Sequence, residues 1–575
     1  MNFDFDVAII GGGPAGSTLG GMIRRYSSDA RVLIVEREKF PRDHVGESQL
    51  PQIGAVLAEL GVWEEIEGAG FPVKIGATYR WGRGGELWNF NFVTPEQYEG
   101  HQRPSPYQGI RKETAFQVDR AVYDMILLRH AERLGCQVRE GTGVRDILRE
   151  GDRINAIVLN DGQTVRARYY IDATGHIGLL RRNMGVEVEC PTRLKNIAIW
   201  DYWTDTAWAD TIGKGGTRVQ VISVGYGWLW FIPVSPTRTS IGLICPASYY
   251  KEQGKEPEEL YLQGIQDADR IAALVTSAER ENDLKTTNDW SFVASRLSGE
   301  NWFLVGESAG FADPILAAGL TLTQVGAKEL AYTLLALLDG QHDANWLKAS
   351  YSDNQIKRIR QHMRFAEFWY SSNGLFTDLQ DHCQEIARES GLSMNPQQAW
   401  AWLAQGGFTH DIVGQVGVAG FDLSSMNQVT QRFLDQDIPW QTQGKNVFRL
   451  NLEGAVKQAI PDYNQGKIDA IECYERNGKR LPLTGLTLLL VSVLQQRKDI
   501  SSILQLLMQT LQQQNLVGER EFIVKHIFQI LEVLTNEGWV TAECDPQLPK
   551  LGIATPREGP IIHTHQQNYT RGSRA

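Results

Sequence analysis

The chain has 575 residues, 42% hydrophobic and 22% charged, a composition too apolar for a disordered protein and a length sufficient for several domains with full cores. Against 68 Asp and Glu stand 57 Lys and Arg, a net charge of −11. This argues against a nucleic-acid partner, because affinity for phosphate backbones comes from clustered cations.

The six cysteines (Cys136, Cys190, Cys245, Cys383, Cys473, Cys544) are scattered without C-x-x-C spacing or histidines at ligand spacing, so no metal site is expected and a reducing compartment fits. The start, Met-Asn-Phe-Asp-Phe-Asp, lacks the basic segment of a signal peptide. The longest apolar run, Leu481 to Leu494, contains Pro482 and Gly485 and is shorter than the ~20 residues of a membrane helix. A cytoplasmic location without a membrane span is the expectation.

In chain order, Phe5-Asp6-Val7-Ala8-Ile9-Ile10 reads as a strand running into Gly11-Gly12-Gly13-Pro14-Ala15-Gly16, followed by a helix and a second strand, Arg31 to Val35, ending at Glu36. This is G-x-G-x-x-G in a βαβ unit, with an acid 20 residues after the last glycine. Gly11 permits the tight turn, Gly13 lets the backbone approach a pyrophosphate, and Gly16 lets helix and strand pack closely. The helix N-terminus, with Ala15 in its first turn, supplies amides and positive potential for phosphates. Glu36 is placed to accept hydrogen bonds from a ribose diol. The motif alone does not choose between NAD and FAD.

Downstream, Val118-Asp119-Arg120 opens a helix over Ala121 to Leu134, and strands follow near 138–147 and 154–165. Tyr169-Tyr170-Ile171-Asp172-Ala173-Thr174-Gly175 reads as a further strand and turn. Trp302 to Pro314 reads as a buried strand breaking into a small-residue turn, with a long helix from about Gly319. About 71–110 and 190–300 the pattern becomes alternating strands rich in Trp and Tyr, including Trp81, Trp88, Trp200, Trp203 and Trp208. Taken singly, most of these aromatics read as sheet packing.

Residues 371–480 read as a helical extension. Residues 481–555 read as a winged-helix-like module, with helices at Leu486–Gln495, Ile500–Gln513 and Glu519–Asn536 and a strand at Gly538–Ala542. Its middle helix, Ile-Leu-Gln-Leu-Leu-Met-Gln at its centre, lacks the Lys and Arg of a recognition helix, so the module reads as a packing or docking element. Residues 556–575 form a polar tail.

The segments of residues 1–370 together resemble the FAD-binding fold of the p-hydroxybenzoate hydroxylase-like flavoproteins. The resemblance implies an α/β protein: a Rossmann-like FAD domain, an antiparallel β substrate sheet, and a mainly helical C-terminal domain. It implies that Gly306, Glu307 and Asp313 lie along the ribityl chain of FAD, with Glu307 where that family usually has Asp. It also places Asp172, on the closing strand, with Arg42, Ser48 and Arg120 among the residues that bind the cofactor.

Two further segments narrow the resemblance. Gly227-Trp228-Leu229-Trp230-Phe231-Ile232-Pro233 is similar to the W-x-W-x-I-P signature of flavin-dependent halogenases, and Phe71-Pro72-Val73-Lys74-Ile75-Gly76 is similar to the segment carrying their essential lysine. Phe40-Pro41-Arg42-Asp43-His44-Val45-Gly46-Glu47-Ser48 matches their loop past the flavin. On a strand Trp228 and Trp230 point to one face, either as ordinary core tryptophans or, as the resemblance implies, as a wall that keeps organic substrate off the flavin.

The resemblance implies reduced FAD supplied by a separate flavin reductase, dioxygen, and chloride or bromide resting on the amides of Ala318 and Gly319. Hypohalous acid would then be relayed by Lys74 to an aromatic ring. A free-base amine is needed for a haloamine, and apolar neighbours should lower the lysine pKa from about 10.4. Tryptophan halogenases place a Glu shortly before that glycine, and here no carboxylate lies between Pro314 and Gly319. That favours a phenolic, tyrosine-like or pyrrole substrate, free or bound to a peptide or carrier protein. His44 and His101 read as structural. Three alternatives stay open: a flavin monooxygenase or isoprenoid-type reductase, whose Gly-Tyr-Gly-Trp-x-Phe-Pro stretch is loosely similar; an indole halogenase; and a non-catalytic flavoprotein that docks partners.

Overall fold

The computed structural model describes residues 3–81, 86–192, 194–288, 290–371, 440–513 and 520–550. Two units divide the chain. The first holds 1–81, 85–367 and the short stretch Tyr463–Ile468, and the second holds the rest.

In the first unit, the apolar run Phe5–Ile10 is the centre of a five-stranded sheet in the order Trp302–Leu304, Ala167–Asp172, Phe5–Ile10, Val32–Val35, Gln137–Arg139. Every pair is parallel, and Val7 to Ile9 are fully buried, as strands covered on both faces require. The helices Pro14–Tyr26, Arg120–Arg133 and Gly319–Asp339 pack together against it. Asp119 caps the second of these through Ala121 N, 2.9 Å away. A three-stranded meander, Val144–Glu150, Arg153–Leu159 and Thr164–Val165, fills the crossover to Ala167–Asp172.

The aromatic segments form a large second sheet in the order Glu279–Arg280, Asn196–Thr204, Arg238–Pro246, Gly227–Pro233, Gly216–Val224, Val73–Arg80, Leu87–Asn91. The expectation of an antiparallel sheet needs one correction. Val73–Arg80 runs parallel to Gly216–Val224, because the chain, after adding Leu87–Asn91 and the short Ala115–Phe116 beside it, passes through the first sheet before it re-enters at Asn196–Thr204, so the sheet is mixed. Its outer face, with Leu229, Phe231, Ile241 and Leu243, packs on Leu260, Tyr261 and Ile265 of the helix Pro257–Asp267.

The second unit contains the three expected helices, at Gly485–Leu494, Ile500–Gln513 and Arg520–Asn536. Their core includes Leu490, Ile503, Leu507, Leu531 and Trp539. The strand Val540–Glu543 pairs antiparallel with Val447–Leu450, so this module starts before residue 481. Within the expected helical extension, the described part is β: Val456–Asn464, Lys467–Arg476 and Lys479–Pro482 form a sheet. The reason is turn chemistry. Gln465-Gly466 and Asn477-Gly478 all have positive φ, at 47°, 79°, 53° and 75°, as two-residue hairpin loops require. The expected helices over 372–439 and the tail 556–575 lie outside the described residues. Among the described residues, no helix is long and apolar enough to cross a membrane.

Candidate active site

The glycine turn is shaped for close approach. Gly11 sits at φ 111°, and a Cβ there would lie 2.3 Å from the carbonyl oxygen of Ala173. A Cβ on Gly16 would lie 1.9 Å from Gly11 O. The helix Pro14–Tyr26 has no acid in its first turn and ends on Arg24 and Arg25, so its positive end is unopposed. Gly13 faces the Arg42 guanidinium, which a Cβ on that glycine would meet at 3.2 Å. Glu36 is buried at the end of Val32–Val35 and accepts from Gly12 N at 2.7 Å and Glu38 N at 2.9 Å. Each carboxylate oxygen keeps a further lone pair for a ribose.

Asp172 stands where expected, but its carboxylate belongs to the fold. One oxygen accepts from Thr174 N and Oγ1, the other from Leu180 N at 2.7 Å and Arg181 N at 3.0 Å. Its effect on a cofactor passes through the turn it shapes. Arg120 is likewise committed, bidentate to Asp124 at 2.7 and 2.8 Å and donating to Val45 O and Gly46 O, which braces the loop 42–48. Arg42 meets Asp124 at 3.3 Å. His44 Nδ1 donates to Val45 O of its own loop, and burial pushes its pKa down to about 3, so it is neutral and structural.

The late segment returns to the same place. Gly306 is at φ 67°, and a Cβ there would meet Ala15 and Thr323 at 3.2 Å. Glu307 makes no hydrogen bond to a described residue, and burial raises its pKa. Asp313 caps the turn Pro314–Leu316 through Ile315 N. Ala317 is left-handed at φ 55°, a strained conformation for a side-chain-bearing residue. It delivers the buried Ala318 and then Gly319 to the start of a 21-residue helix without acids in its first turn. A small cavity lined by Gly306, Phe311, Gly319, Thr323 and Arg358 opens beside this turn.

Whether these residues suit FAD is tested by polar atoms the protein leaves unused. Ser48 and Gln117 face each other across an antiparallel bridge, both buried, and the Ser48 hydroxyl and the Gln117 amide have no hydrogen-bond partner among the described residues. Unsatisfied groups at such depth are costly, and together with the glycine cradle they fit a bound dinucleotide.

Lys74 reaches the inner face of the large sheet by a bulge. Thr217 pairs with Lys74 but Arg218 pairs with Gly76, so Ile75 is an extra residue. Registered neighbours share a face and alternate residues return to it. The register runs Lys74 to Thr217, Tyr79 to Val221 to Trp230, and Ser223 to Trp228, so the bulge puts Lys74 on the tryptophan face. Its side chain is 2% exposed and its Nζ donates to Gln49 O at 3.0 Å. It forms no ion pair among the described residues, and desolvation lowers its pKa to about 7.

Trp228 and Trp230 share this face, with ring centres 6.2 Å apart. The Trp230 indole lies over Gly242, where a Cβ would come within 2.1 Å of the ring. Trp203 projects to the other face and donates to Tyr261 Oη. Glu47 lies in the loop Phe40–Ser48 but is not among the residues that the sequence pattern singles out. The Glu47 carboxyl is buried on this same face, accepts from Tyr202 Oη at 2.7 Å, and is pushed up to about 7 by desolvation.

Residues 4–366 match the family model for the FAD binding domain. The chain is 30% identical over 345 residues to a tryptophan 2-halogenase of Chondromyces crocatus, covering 59% of this chain and 62% of the relative. It is 28% identical over 396 residues to a 1H-pyrrole-2-carbonyl-[peptidyl-carrier protein] chlorinase of Pseudomonas fluorescens, covering 65% and 85%. The crystal structure of CmlS, a flavin-dependent halogenase, shares the fold over 97% of this chain and 99% of that one, with a TM-score of 0.70 at 22% identity. The similar proteins named above are halogenases, and the chain belongs to the FAD binding domain family.

Proposed function

We propose that this protein halogenates an electron-rich aromatic ring, using reduced FAD from a separate reductase, dioxygen, and chloride or bromide. Overall, ring C–H, halide, FADH2, O2 and one proton give ring C–halogen, FAD and two waters. When bound and reduced, FAD supplies two of the four electrons that O2 takes up, leaving the halide oxidised to the level of hypohalous acid.

The residues of the chain divide the remaining work. The Ala318 and Gly319 amides, at the positive end of their helix, hold the halide. The face of Trp228 and Trp230 keeps a ring away from the cofactor, so that halide is oxidised in its place. Lys74 takes the hypohalous acid as a hydrogen-bond donor or as a haloamine and presents it to the ring. The observation that carries this reading is the Lys74 amine itself, buried, without an ion-pair partner among the described residues, and on the tryptophan face. Neither hydroxylation nor alkene reduction needs such a group.

The substrate is a phenol of tyrosine type, free or tethered to a peptide or carrier protein. Loss of the phenolic proton activates the ortho and para carbons, and the turn 314–319 offers no carboxylate to stabilise a cationic indole. The name of the Chondromyces relative favours an indole as the second reading. Incubation with FAD, a flavin reductase, NADH, bromide or chloride, and a panel of phenols and indoles tests both. Mass spectra showing the halogen isotope pattern on phenols support the proposal; halogenated indole alone moves the substrate, and hydroxylated products overturn the reaction.

A further inference from the structure

The loop that holds the Lys74 amine is tied on two sides. On one side its backbone joins the segment 116–120: Val118 N donates to Glu47 O at 2.8 Å, Gln49 N to Phe116 O at 3.1 Å, and Arg120 to Val45 O and Gly46 O. On the other side the tie is the Glu47 side chain, which hydrogen-bonds the strand Asn196–Thr204 and faces Ser240 of the adjacent strand Arg238–Pro246. Tyr202 Oη donates to Glu47 Oε1 at 2.7 Å, the Ser240 hydroxyl lies near enough to the same carboxyl to lower its pKa, and Trp230 Nε1 donates to Ser240 Oγ at 3.1 Å. The Tyr202 ring is itself fixed, with the Arg238 guanidinium 3.8 Å and the Lys285 amine 5.3 Å from its centre. Glu47 is 2% exposed, so bulk water offers its carboxyl no replacement for these bonds.

Two residues beyond Glu47, the Gln49 carbonyl accepts from Lys74 Nζ. A neutral amine has two N–H groups and one lone pair more weakly solvated than an ammonium, and a fixed carbonyl on one N–H decides where the lone pair aims. Resting on the halogenation reading above, we propose that Trp230, Ser240, Tyr202 and Glu47 are positioning residues. They form a polar clamp, hydrogen-bonded from Tyr202 to Glu47 and from Trp230 to Ser240, that sets the loop and, through Gln49, the direction of the Lys74 amine. The second tryptophan of the motif thus acts through its indole N–H as well as through its bulk.

The clamp is tested on the full chain loaded with FAD, using Tyr202→Phe, Ser240→Ala, their double variant, Glu47→Ala and the conservative Glu47→Gln. Hydrogen exchange read by mass spectrometry is expected to rise about tenfold per lost hydrogen bond in peptides spanning 44–52, while Gly227–Pro233 keeps the parental rate. Glu47→Gln, whose amide still accepts from Tyr202 and faces Ser240, is expected to hold the parental pattern. In turnover, the loosened variants are expected to release several times more free hypohalous acid per halogenated product, since small misplacements at a reacting centre cost up to about 100-fold. Unchanged exchange in the double variant overturns the clamp. So does a rise spread equally over the sheet, or a loosened loop with the parental ratio of released acid to product. The exchange needs no turnover, so a failure of the halogenation reading shows separately, as absence of halogenated product from the parent enzyme.

Discussion

The Lys74 amine lies 3.0 Å from the Gln49 carbonyl oxygen and 5.4 Å from the centre of the Phe92 ring. A group held this way is a cost to the fold. Its pKa falls from 10.5 to about 7 by desolvation, so between those values the unfolded chain binds the extra proton and stability rises with pH. Below about 7 the cost is complete. Lys74→Met is expected to stabilise the protein by about 3 kcal/mol at pH 6–7, after loss of the Gln49 hydrogen bond, and by progressively less toward pH 10. Chemical denaturation across that range checks it.

Glu47 has the opposite sign of dependence. Desolvation raises its pKa from 4.5 to about 7, against the lowering effects of Tyr202, Ser240, Arg120 and Arg238. The folded chain therefore binds the extra proton between pH 4.5 and 7, and stability falls as pH rises through that window. Glu47→Gln is expected to match the parent near pH 4.5 and to exceed it by about 2–3 kcal/mol above pH 7. Thermal melts at several pH values measure the divergence.

Gly242 provides the space that the Trp230 indole fills, since a Cβ would lie 2.1 Å from the ring. Gly242→Ala is expected to destabilise the protein by about 1–3 kcal/mol through overpacking and to shift the tryptophan emission as the indole is displaced. Denaturant titration with fluorescence detection reads both.

Gly16 answers for the cofactor. Its alanine Cβ would lie 1.9 Å from Gly11 O, forcing the helix away from the turn that carries the phosphate-facing amides. Gly16→Ala is expected to weaken FAD binding at least about tenfold, a loss of one or two good hydrogen bonds, as measured by flavin fluorescence quenching.

Much of this molecule could be read from local pattern. Phe5–Ile10, the glycine turn and Glu36 lie close together in the chain, and their roles follow from periodicity and backbone freedom. The Trp228 and Trp230 pairing followed from strand alternation alone. What stayed hidden depends on register or distance. Nothing in Val73-Lys74-Ile75-Gly76 announces the extra residue that turns Lys74 onto the tryptophan face, because the bulge exists only against Thr217 and Arg218. Glu47 and Tyr202 are 155 residues apart, so no spacing rule joins them. Asp172 looked like a cofactor contact because a motif names a residue type and does not say that four donors from its own turn occupy the carboxylate. The hairpins after residue 456 were read as helix, although Asn477-Gly478 is a pair that two-residue hairpin loops favour.

The central claim, that a buried amine carries the oxidant from the cofactor to a ring held elsewhere, is tested most directly by comparing the parent with Lys74→Met, both loaded with FAD. With reductase, NADH, bromide and a phenol, the parent is expected to give brominated product. Lys74→Met is expected to bind FAD and release free hypohalous acid, with product reduced at least about 100-fold, the scale of one lost acid–base or relay group. Brominated product from Lys74→Met at the parental rate would contradict the account.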